Sequence, residues 1–91
     1  MQKRVHIFVN GLVQGVYFRY YTAQTAQQLN LSGWVRNMRD GRVEILCEGD
    51  EDSLGRMVAW SRTGPSGARV EEIDVAWEGF TGEFDEFKIL Y

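Results

Sequence analysis

Residues 4 to 9 alternate, with Val5, Ile7 and Val9 on one side and Arg4, His6 and Phe8 on the other. A period of two over a short run predicts a strand with one face buried, and Asn10-Gly11 marks its end. From Phe18 the period changes. Phe18, Thr22, Ala26 and Leu29 fall four, four and three residues apart, which makes one helical stripe, while Gln24, Gln27 and Gln28 lie off it. Asn30 can adopt the left-handed conformation that stops a helix.

Trp34 and Val35 open a second strand, Asp40-Gly41 is a hairpin turn signal, and Val43, Ile45 and Cys47 alternate along a third strand. Asp50 or Asp52 can cap a second helix, in which Leu54, Met57, Val58 and Ser61 share a face. Gly55 inside that helix costs about 1 kcal/mol relative to alanine. Thr63-Gly64-Pro65-Ser66-Gly67 is a break. Ile73, Val75 and Trp77 alternate along a fourth strand, and Phe87, Ile89 and Tyr91 predict a short last one. The order β-α-β-β-α-β plus a terminal β fits an α+β fold, the ferredoxin-like sandwich, with two helices on one face of an antiparallel sheet. A single domain over residues 1–91 accommodates it.

Composition narrows the possible functions. The apolar fraction of 44 % and aromatic fraction of 13 % belong to a globular chain. No apolar run approaches the roughly 20 residues that cross a membrane. Behind its basic residues the start of the chain has only a short alternating run, not the apolar stretch of a signal peptide, so a cytoplasmic location is expected. Cys47 and His6 are the only residues of their types. An internal disulfide and a cysteine-built metal site are therefore excluded, and histidine-pair metal sites and serine–histidine triads lose most of their material. The net charge of −3 argues against a nucleic-acid partner. The acidic clusters Asp50-Glu51-Asp52 and Glu71-Glu72 read as solvated positions, and a monomer is the expected state.

The stretch Gly11-Leu-Val-Gln-Gly-Val-Tyr-Phe-Arg19 lies between the first strand and the first helix. A loop ending at a helix N-terminus presents unpaired N–H groups and the positive end of the helix dipole. Gly15 gives the backbone freedom to bring those amides together, and Arg19 adds a planar fork of donors suited to phosphate oxygens. From the loop alone, a phosphate cradle and a plain glycine turn with a surface arginine both remain open. A Walker loop is excluded, because its GxxxxGK[ST] pattern is absent.

Four stretches together, GLVQGVYFR, SGWVRNMRDGRVE, GPSGARV and the closing FKILY, resemble the acylphosphatase family over essentially the whole chain. The resemblance implies a ferredoxin-like fold and hydrolysis of acyl phosphates to a carboxylate and inorganic phosphate, with no metal and no cofactor. It implies that Arg19 binds the substrate phosphate and that Asn37 positions the attacking water. The backbone amides of Gln14, Gly15, Val16, Tyr17 and Phe18 would complete the cradle. Its implied partners are a small acyl phosphate and inorganic phosphate, as product or inhibitor. Two positions depart from the family pattern: Asn30 stands where many members have glycine, and Met38 where some have threonine. The chemistry is consistent with so few side chains. A carboxylate of pKa near 4 leaves without a general acid, and phosphoryl transfer is mainly positioning and charge stabilisation.

Two other functions fit parts of the chain. One is a binding module that keeps the anion cradle without turnover and serves a carbamoyl-phosphate-using partner; intact Arg19 and Asn37 favour the enzyme. The other is an RNA-binding sheet, for which Phe8 alone supplies no paired aromatic signature. His6 reads as a structural or surface residue, and Cys47 as a buried, inert thiol. Trp34 reads as core or pocket wall, and Arg36 and Arg39 as solvated strand-end charges.

Overall fold

The computed structural model describes residues 1–91. Its elements are β1 (Gln2–Leu12), α1 (Phe18–Gln28), β2 (Ser32–Asn37), β3 (Val43–Asp50), α2 (Glu51–Ser61), β4 (Arg69–Gly79) and β5 (Phe87–Ile89). They form one sheet in the order β4-β1-β3-β2-β5. The pairs within β4-β1-β3-β2 are antiparallel, which with two helices gives the α+β ferredoxin-like sandwich. β5 instead runs parallel to β2. The added C-terminal strand is thus the one parallel member of the sheet.

One face of the sheet carries the core. Val5, Ile7 and Val9 of β1, Val35 of β2, and Val43, Ile45 and Cys47 of β3 are fully buried. They cluster with Phe18, Ala23 and Ala26 of α1 and Leu54 and Met57 of α2. The helical stripe of α1 includes Thr22, whose buried hydroxyl donates to the Phe18 carbonyl at 2.8 Å and so carries no unmet polar group. Asn30 ends the helix at φ 58. The bonds Asn30 N–H to Gln27 and Leu31 N–H to Ala26 complete a Schellman arrangement. At the start of α2 the cap is Asp50, whose side chain accepts from the Asp52 amide at 3.1 Å.

Three strand expectations are modified. β1 does not stop at Asn10-Gly11 but continues to Leu12 across a bulge there. Gly11 permits this, at φ 132 with the Arg69 carbonyl only 2.2 Å from where a Cβ would sit. Trp77 continues the alternation of β4 yet is 48 % exposed, because β4 is the sheet edge and the helices do not cover its far end. Tyr91 lies beyond β5 and is exposed. The Leu90 amide still bonds to the Val35 carbonyl, but the Leu90 carbonyl turns to Arg19.

β3, as the central strand, is buried on both faces. On the face away from the helices, Glu44 accepts from Arg36 Nε at 2.6 Å and lies 2.6 Å from His6 Nε2. Burial pushes the Glu44 pKa up, but these partners pull it below the ordinary carboxylate range. Glu48 accepts from the Thr81 amide at 2.9 Å, the Thr81 hydroxyl at 2.7 Å and the Gly82 amide at 3.0 Å. Here too burial raises the pKa, while the Thr81 and Gly82 donors and nearby Arg4 bring it below its ordinary 4.5. Glu48 thereby fastens the β4–β5 connection to the centre of the sheet.

Candidate active site

The loop 13–17 leaves β1 and turns into α1 at one end of the sheet. Its two sharp positions are Gly15 at φ 75 and Tyr17 at φ 60, the latter acting as N-cap without a side-chain hydrogen bond. The first turn of α1 holds no acidic residue, and its second position is Arg19. None of the backbone amides from Gln14 to Phe18 donates to an acceptor within the protein. Orphan amides are ordinary at a helix start. Here the cap residue, Tyr17, satisfies none of them with its side chain.

A cleft of about 520 Å³ opens over this loop, lined by Val13, Gly15, Tyr17, Phe18, Arg19, Tyr20, Asn37, Ile89 and Tyr91. The structure brings Gly15, Tyr17, Phe18, Arg19 and Asn37 to one cleft; Gln14 and Val16 belong to the same loop but do not line it. Arg19 is the only charged side chain in the lining. Its Nη1 donates to the Leu90 carbonyl at 3.0 Å, and its guanidinium lies 4.8 Å from the Tyr91 ring centre. One donor of the fork is thus used to hold the group in place, and the remainder is available to a ligand. Asn37 arrives from the opposite side at the end of β2, paired with Val43 across the hairpin.

Two further segments fix this geometry. The Gln14 side chain donates through Nε2 to the carbonyls of Met38 at 2.7 Å and Arg42 at 2.9 Å. The break at 63–67 backs the loop: a Cβ on Gly64 would come 2.6 Å from the Phe18 ring, and one on Gly67 would come 3.8 Å from Val16. The sequence reading assigned Gln14 only a backbone amide and left Gly64 in a break; the tyrosine side chains and Ile89 of the cleft were also missed. A polar side chain of fixed length inside a glycine loop is the signal that points to the Gln14 contact.

A family model described as Acylphosphatase matches residues 5–89. The chain belongs to the acylphosphatase family. It is 50 % identical to the acylphosphatase of Syntrophus aciditrophicus, across 100 % of this chain and 95 % of that one. Against the acylphosphatase of Methylococcus capsulatus identity is 52 %, across 97 % and 96 % of the two chains. The crystal structure of acylphosphatase from Bacillus subtilis superposes with a TM-score of 0.94 at 40 % identity, over 100 % of both chains. The activity is therefore that of an acylphosphatase, hydrolysis of acyl phosphates. Asn30 still terminates its helix in the left-handed conformation, so that departure from the family pattern keeps the helix stop.

Proposed function

We propose that hydrolysis proceeds by direct attack of a water molecule, positioned by Asn37, on the phosphorus of an acyl phosphate held by Arg19 and the amides of Gln14 to Phe18. The bond from water oxygen to phosphorus forms as the bond from phosphorus to the carboxylate oxygen breaks. The water proton passes to a phosphate oxygen of the substrate, and a carboxylate leaves with its electron pair. No metal and no cofactor takes part. The observation that carries this reading is the cleft itself: it brings the Arg19 guanidinium and Asn37 together over a loop whose amides from Gln14 to Phe18 have no acceptor within the protein. No group of three or more His, Cys, Asp or Glu side chains converges to hold a metal ion. Neither His6 nor Cys47 lines the cleft, so a general base or covalent nucleophile from either is not called on.

The test is a pair of measurements on folded variants: inorganic phosphate binding by calorimetry, and steady-state hydrolysis. Arg19→Ala weakens phosphate binding and lowers kcat together, and Arg19→Lys recovers little because a point charge does not reproduce the fork. Asn37→Ala lowers kcat by roughly 10²-fold, the scale of one lost positioned donor, and leaves phosphate affinity nearly unchanged. Asn37→Ala weakening phosphate as much as Arg19→Ala while sparing turnover would overturn the division of roles.

A further inference from the structure

We infer that Gln14 is a positioning residue that sets where Asn37 stands relative to the phosphate cradle. This rests on the assignment of Asn37 to the attacking water. Gln14 belongs to the cradle loop, whereas Met38 and Arg42 bracket the β2–β3 turn. Met38 follows Asn37 directly, and Arg42 precedes Val43, the partner of Asn37 in the ladder. The Met38 amide already donates to the Arg42 carbonyl at 2.8 Å, closing the hairpin. Nε2 of Gln14 then reaches both carbonyls, at 2.7 and 2.9 Å. Both partners are acceptors, and the two hydrogens of the one amide nitrogen serve them together. These two are the only hydrogen bonds between the loop 13–17 and the hairpin.

The contact reaches the hairpin through a side chain, so the amides of Gln14 to Phe18 keep their donors. The same clamp joins the two halves of the site. Displacement of a reacting group by about 1 Å can cost 10²-fold in rate, so a fixed spacing between cradle and Asn37 bears directly on turnover.

The experiment is a double-mutant cycle of Gln14→Met with Asn37→Ala, read by kcat for acyl phosphate hydrolysis and by calorimetric binding of inorganic phosphate. Gln14→Met keeps length and removes the donor; Gln14→Glu keeps shape and puts a carboxylate against two carbonyls, and replaces it in the cycle if Gln14→Met does not fold. The expected single effect is a loss in kcat of about 10- to 100-fold, with the phosphate dissociation constant within about twofold. The double variant should be no slower than Asn37→Ala alone, because Gln14 acts through Asn37. A merely structural contribution would multiply with the Asn37 effect, and that result overturns the inference. So does unchanged kcat in the Gln14 variant, or a phosphate affinity that falls in step with kcat. If Asn37→Ala itself leaves turnover intact, the water assignment fails and takes this inference with it, an outcome distinct from multiplying effects.

Discussion

Replacing Gly64 by alanine tests whether the 63–67 segment supports the start of α1 as the packing indicates. Gly64 sits at φ +66, and an added Cβ would lie 2.6 Å from Cε2 and 3.3 Å from Cζ of Phe18. The ring cannot step aside cheaply: Phe18 is 2 % exposed, and its centre lies 5.4 Å from that of Trp60. A left-handed backbone costs an L-residue about 1–2 kcal/mol. Forcing a methyl into a filled core costs about 1–3 kcal/mol. Together they amount to about 3 kcal/mol, and at about 4–8 °C per kcal/mol for a domain of this size Tm falls by roughly 15 °C. Gly67→Ala is the matched control. Gly67 lies outside the left-handed region and its Cβ would meet nothing closer than Val16 at 3.8 Å. That variant should stay within about 1 kcal/mol of the parent and can gain from a stiffer unfolded chain. Thermal and urea unfolding of the three proteins provide the comparison. A Gly64→Ala protein melting within about 3 °C of Gly67→Ala would refute the packing argument.

Glu44 and Glu48 have folded-state pKa values below their ordinary 4.5. The stability they contribute is therefore present above about pH 4.5 and is lost as pH falls through the lower folded-state values. The urea midpoint of the parent should drop between pH 6 and pH 3. Glu48→Gln should start lower and fall less steeply; equal slopes would remove Glu48 from the acid response. Hydrolysis should be unchanged by EDTA, and activity that vanished with chelator and returned with Mg²⁺ would sink the metal-free mechanism. Burial pushes the Cys47 thiol far above its ordinary 9.0, so the folded protein should resist alkylation. Cys47→Ala should keep kcat within a few-fold, and a loss on the order of 10²-fold in folded protein would mark an overlooked nucleophile.

The parts of the fold that were legible are those set by short-range chemistry. Val5, Ile7 and Val9 alternate because one face of β1 is buried, and Asn30 stops α1 because it tolerates positive φ. What escaped depends on partners remote in sequence. The alternation of β3 gives Glu44 and Glu48 no reason to be buried; they are covered because Arg36, His6, Arg4 and the Thr81–Gly82 backbone approach from other segments. The parallel pairing of β5 with β2 likewise has no local signature. In the cleft, Arg19 and Asn37 were legible through motif, whereas the Gln14 contact and the Leu90 carbonyl became visible only when distant residues met.

The support of Arg19 depends on the smallest element of the sheet. β5 pairs three residues with β2, and flanking bonds run from Gly33 N–H to Glu86 and from Leu90 N–H to Val35. Edge elements with few ladder bonds open at a lower free energy than the global transition. Each such opening would release the Leu90 carbonyl from the guanidinium while β1, β3 and both helices stay folded. Hydrogen exchange should accordingly find the Leu90 and Gly33 amides much less protected than those of Ile7 and Ile45. The free energy of that local opening, rather than the stability of the whole domain, sets the fraction of molecules in which the Leu90 carbonyl braces Arg19.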